Sequence, residues 1–163
     1  NPLLLRRALD HGVRAVVAHC GSMGQDRDID KGENGPYVDS FELFARLMDD
    51  PVYGPKLNGD ISAMTQLNRA GPALETVLAR EDWHGRLHNG SDYPLPGVMP
   101  LFSVTYMVQL GLIPETAVPV LTEIRKHNPL LFDFVLKRHL NFKGKRFAKS
   151  VFETRRFFEP RVM

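Results

Sequence analysis

Two prolines fix where one strand of this chain must stop. Arg86 to Asn89 reads as a short run into a sheet, and Gly90-Ser91-Asp92-Tyr93-Pro94-Leu95-Pro96 follows at once. Pro94 and Pro96 lack the N–H that a ladder needs, so the strand ends near Asp92. A carboxylate is thereby left at the C-terminal end of a strand, where α/β folds collect their chemistry. Gly, Ser, Asp and Pro are also ordinary turn residues. Locally, Asp92 reads either as a turn residue or as a catalytic acid.

The rest of the chain repeats the same unit. Residues 2–11 place Leu5, Ala8 and Leu9 on one helical face, behind an Asn1-Pro2 start and ahead of Gly12. Val13 to Ala18 is a β-branched run, apolar on both faces after Arg14, as a buried parallel strand would be. It ends in His19-Cys20-Gly21-Ser22. Residues 22–38 form a polar, Gly-rich connection whose length suggests a functional loop or a lid. Asp39 and Glu42 have capping-box spacing before a helix carrying Phe41, Leu43, Phe44, Leu47 and Met48. A weaker strand candidate spans 57–64, and Gly71-Pro72 opens a helix with Leu74, Val77 and Leu78 inward. After Pro100 the pattern stays helical: 101–110, then 114–126, then a helix opened by Asn128-Pro129 with Leu131, Phe134 and Val135 as its buried stripe. Helix–strand alternation of this kind predicts right-handed crossovers and a parallel α/β sheet.

Composition narrows the class. With 163 residues the chain can bury the core of one domain. No apolar run approaches the ~20 residues of a membrane span, so no membrane role is expected. The single cysteine, Cys20, excludes an internal disulfide and favours an intracellular, cytoplasmic setting. A net charge of +2 is too small to imply a nucleic-acid partner by itself. The chain opens inside a helix start, with neither Met nor a signal-like segment. Three strands neither close a barrel nor make a good doubly wound sheet, so a fragment is expected.

Three strand ends line up: Ala18-His19-Cys20-Gly21, Asp60-Ile61-Ser62-Ala63 and Gly90-Ser91-Asp92-Tyr93-Pro94. In this order they resemble the second half of a metal-dependent amidohydrolase barrel. The similarity is to the amidohydrolase-related branch, which includes decarboxylases and lactonases of aromatic and dicarboxylic acids. Asn128-Pro-Leu-Leu-Phe132 resembles that branch's closing helix. The resemblance covers residues 1–140 and leaves 141–163 as a basic, Phe-containing extension. It implies that the chain is the C-terminal portion of a (β/α)8 barrel, with His19, Asp60–Ser62 and Asp92 closing strands six, seven and eight. It also implies that Asp92 binds a divalent metal and helps move protons and that His19 contacts either the metal or the substrate, with zinc the first choice and manganese and iron also compatible. The family's site further needs a His-x-His pair, and none occurs among His11, His19, His84, His88, His127 and His139. The metal site in this chain is therefore expected to be incomplete, the missing N-terminal half of the barrel a partner, and the isolated chain inactive. The implied substrate is a small molecule with a carboxyl or acyl group.

Each residue also has a plain structural reading. His19 after an apolar strand reads as a satisfied structural histidine or as a ligand, since imidazole binds zinc and titrates near neutrality. Cys20 reads as a small core residue. Asp60 and Ser62, two apart, share a face and read as orienting groups for a ligand histidine or as a solvated strand end. Ser91 and Tyr93 flank Asp92 as substrate contacts or turn residues. His88 reads as structural. The tail's Lys143, Lys145, Arg146, Lys149, Arg155, Arg156 and Arg161 alternate with phenylalanines, a pattern that suits single-stranded nucleic acid. Glu153 and Glu159 dilute it, which favours packing of the phenylalanines on the barrel's outside or on a neighbouring subunit. The rival reading is a non-enzymatic α/β binding module that forms a homo-oligomer through its open edges.

Overall fold

The computed structural model describes residues 1–159, and the side chain of Arg156 lies outside that description, as does Arg161. Its centre is a three-stranded parallel sheet ordered β1 (Ala15–Val17), β4 (Leu57–Asp60), β5 (Leu87–His88). The register pairs Val16 with Asn58, Val17 with Gly59, Gly59 with Leu87 and Asp60 with His88. The chain is thus mixed α/β with a small parallel sheet, as the alternation predicts.

One sheet face makes the core. Leu57, Gly59 and Leu87 lie against α2 (Ser40–Asp49) and Trp83, and α3 (Pro72–Ala79) follows β4. Leu43, Phe44, Leu47 and Met48 of α2 are buried, at about 1.5–3 kcal/mol for each large apolar side chain removed from water. Leu74, Val77 and Leu78 of α3 are buried as expected. The other face carries Val16, Asn58, Asp60 and His88, since neighbours in register share a face and residues alternate along a strand. Trp83 and His84 sit in a 3-10 turn (Glu81–Arg86), where buried His84 bonds the Val77 carbonyl at 2.9 Å.

Several expectations are corrected. β1 is an edge strand, not a buried one: Val13 is 50% and Val16 41% exposed, because no described strand pairs its far edge. Residues 22–38 are not a loose lid. β2 (Gln25–Arg27) and β3 (Tyr37–Asp39) form an antiparallel hairpin, pinned where Arg46 of α2 grips buried Asp28 at 2.8 and 2.9 Å. Arg6 pairs with Asp30 beside it. Asp39 occupies the cap position of α2, but its side chain makes no cap bond.

The chain ends in helices α4 (Val104–Gln109), α5 (Val118–His127), α6 (Pro129–His139) and the short α7 (Arg155–Phe158). Asn128 caps α6 by accepting from the Leu131 N–H at 2.9 Å. The buried stripe of α6 is Phe132, Asp133, Leu136 and Lys137, while Leu131 and Phe134 are 46% and 41% exposed. The helix is rotated from the expected face because two charged residues, paired with each other, point inward.

The tail packs back on the sheet. Val151 is fully buried, and its carbonyl accepts the Asn89 N–H at 2.8 Å on the far edge of β5. Phe152 packs edge-on against Phe134, with centroids 5.4 Å apart. Phe157 covers the Asn58–His88 face: its ring lies 4.3 Å from that of His88 and 4.8 Å from the Arg14 guanidinium.

Candidate active site

The three strand ends meet. β1 leaves the sheet through His19, Cys20 and Gly21, all left-handed (φ 55°, 51° and 63°). That reversal brings the His19 N–H to Asp60 Oδ1 at 3.2 Å and its ring onto Ser62. Ala63 and Asp92 are also left-handed, at φ 53° and 55°. Apart from Lys143, every non-glycine residue described with positive φ therefore sits at these exits. Such backbone costs about 1–3 kcal/mol per residue and persists where surrounding contacts enforce it, as at functional sites.

A relay of polar contacts runs across the exits. Asp60 Oδ1 accepts from the Ser62 N–H at 2.8 Å and from the Ser62 hydroxyl. With its proton given to Asp60, the Ser62 oxygen accepts from His19 Nδ1 at 2.7 Å, and the Ser62 carbonyl lies 3.1 Å from the same nitrogen. Both partners of Nδ1 are then acceptors, which assigns the proton of the neutral ring to Nδ1. Nε2 is left with a lone pair, and it faces Asp92 Oδ2 at 3.7 Å. A lone pair opposite a carboxylate oxygen is unfavourable unless something positive stands between, a proton on Nε2 or a metal cation.

The series Ser62–His19–Asp92 has the members of a nucleophilic triad, but the accessible end is the wrong one for it. Ser62 is 4% exposed, while the Asp92 side chain is 32% exposed. The accessible end of the series is Nε2 with Asp92, while Ser62, itself bonded to Asp60, contacts the imidazole at Nδ1.

The donors of His19 and Asp92 fit a divalent cation. Nε2 is free because Nδ1 is held by a hydroxyl and a carbonyl, the arrangement that orients ligand histidines. A 3.7 Å separation lets both reach one ion at the usual distance of about 2.0–2.2 Å. Among the described residues no group of three His, Cys, Asp or Glu side chains is placed to hold a metal. His19 and Asp92 bring one nitrogen and one carboxylate oxygen to this point.

The neighbours have other roles. Cys20 is fully buried, its thiol 3.2 Å from the Asp60 carbonyl oxygen, and burial pushes its pKa well up. His88 Nε2 bonds Asn58 Oδ1 at 3.0 Å, and burial lowers its pKa. Tyr93 is 70% exposed and Ser91 half-buried in the turn. Sequence reasoning missed Lys137. It lies 1% exposed beneath Gly90 and bonds the Gly90 carbonyl at 2.7 Å and Asp133 Oδ2 at 2.6 Å. Its i, i+4 spacing to Asp133 was readable, but such pairs normally mark a solvated face. A cavity of about 550 Å³ is lined by Met99, Phe102, Val104 and Arg125 and by none of the relay residues. Arg125 spends its guanidinium on the Pro96, Val98 and Phe102 carbonyls.

No family model, no curated protein and no solved structure matches this chain. No described helix is long and apolar enough to cross a membrane.

Proposed function

We propose that His19 and Asp92 are two ligands of a divalent-metal hydrolase or decarboxylase site of the amidohydrolase type. The chain would be the C-terminal part of a (β/α)8 barrel acting on a small carboxyl or acyl substrate. One observation carries the reading: His19 Nε2 faces Asp92 Oδ2 at 3.7 Å, on the accessible side of the Asp60–Ser62–His19 contacts. A bound divalent metal supplies Lewis acidity and a water of lowered pKa. Asp92 would be the carboxylate at this point able to accept a proton and return it. Asp60 and Ser62 hold the imidazole in one tautomer, and the chain alone, with two ligands, turns over no substrate. Closing a barrel beside β5 requires Val151 to give up the Asn89 N–H.

The coding sequence upstream of Asn1 tests the barrel: it should encode some 150 further residues, the balance of a ~250-residue barrel, with a His-x-His after an early strand. A start at Asn1 overturns that part. Zinc titration tests the ligands. His19→Ala and Asp92→Asn should each weaken binding about tenfold or more, and unchanged affinity in both overturns the site.

A second reading is favoured by one feature. The free edge of β1, with exposed Val13 and Val16 beside a groove of about 370 Å³ lined by Leu5, Val17 and Met23, suits an interaction module that self-associates by strand pairing.

A further inference from the structure

Beneath the Asp92 turn lies a charge pair that nothing in the relay uses directly. Lys137 and Asp133, one turn apart on α6, are each 1% exposed and 2.6 Å apart. A core position filled by an ion pair gains little stability over a hydrophobic pair of the same volume, so the pair calls for a positional reason. Lys137 supplies one: Nζ also donates to the Gly90 carbonyl at 2.7 Å. Gly90 also has Ser62 and Asp60 close by: a Cβ would stand 3.3 Å from Ser62 Cβ and 3.8 Å from Asp60 Cγ. The exit of β5, two residues before Asp92, is thus held by the Lys137 ammonium and bordered by the Asp60–Ser62 pair. Asp92 itself holds φ 55°, a conformation that a loose turn would abandon.

The electrostatics agree with the geometry. Burial pushes the Lys137 ammonium down and the Asp133 carboxyl up, and their mutual attraction opposes both changes. Asp60 and Asp92 also favour the charged ammonium, so its charge is felt at the site. Asp133 Oδ1 is buried with no partner, so Asp133 serves Lys137 and makes no further bond of its own there.

We infer that Lys137 is a positioning residue: through the Gly90 carbonyl it fixes the turn that aims Asp92 at His19. The inference rests on the reading of His19 and Asp92 as metal ligands.

A double-mutant cycle on zinc affinity in the full chain tests it. Lys137→Met alone strands a buried carboxylate, so Lys137→Met is combined with Asp133→Leu, a replacement that buried ion pairs often tolerate. Thermal melting checks that each protein is folded. The paired substitution should weaken zinc binding about 10–100-fold, as loss of groups supporting ligands does. In an Asp92→Asn background it should weaken binding no further, within about twofold. Equal losses in both backgrounds would mean a general effect on the fold and overturn the role of Lys137. Zinc affinity indifferent to His19→Ala and Asp92→Asn is a different failure, that of the ligand reading itself.

Discussion

Gly59 has no room for a side chain. A Cβ there would stand 2.7 Å from Cys20 Sγ and 2.8 Å from Phe44 Cζ, and both neighbours are fully buried. Gly59→Ala should therefore destabilise the chain by about 1–3 kcal/mol in denaturant unfolding. Gly85→Ala, where nothing lies within 4 Å of the added carbon, is the control and should be near neutral. Equal stability of the two variants would refute this packing. The residues of the site itself were mostly legible. His19, Asp60, Ser62 and Asp92 are polar groups directly after apolar or strand-like runs, and that placement marks them. Lys137 was not legible, because hydrophobic patterning sends a charged helical residue to solvent. Only its contact with Gly90, forty-seven positions away, shows why it points inward.

At the scale of the element, the hairpin β2–β3 is the connection whose sequence looked loosest. Among the ion pairs that hold it, the most buried carboxylate is Asp28, paired with Arg46. The Arg46 guanidinium, by hydrogen bonding first and by charge second, holds the Asp28 carboxyl below the usual carboxylate range. A carboxyl depressed in the fold contributes stability that is present above its unfolded value of about 4 and lost as pH falls through the lower folded value. The hairpin should therefore loosen in acid below about pH 4. Arg46→Ala should loosen it at neutral pH, seen as several-fold faster amide exchange over 25–39 with the α2 interior unchanged. An unaltered exchange pattern in the variant would show that the pair is dispensable. Element identity was largely readable: Asn128 as a cap, Gly12 as a left-handed stop, and the inward residues of α3 all follow from local chemistry. The face of α6 was misread because its pattern mixes apolar residues with an inward ion pair. The hairpin was missed because its strands are only three residues each and β2, Gln25–Arg27, is wholly polar.

For the molecule as a whole, the tail is what sequence reading left open. Five phenylalanines spaced along a basic segment gave no hint that Phe157 would lie on His88 while Val151 completed the edge of β5. Those contacts join residues more than sixty positions apart, beyond the reach of any local pattern. They leave the sheet with unequal sides: β5 is capped and β1 is open. Light scattering across a concentration series should detect self-association, and Val16→Lys should suppress it, since charge on an edge strand discourages pairing. A monomer at all concentrations, unchanged by the substitution, would rule out an adhesive edge.

That inequality also sets the symmetry available to any such pairing. A sheet open on both sides can add copies head to tail without limit and grow into a fibre. With β5 closed by Val151, the parallel sheet offers one open edge among the described residues, and an edge that meets only its own kind pairs isologously about a two-fold axis. Pairing between copies through β1 then stops at two.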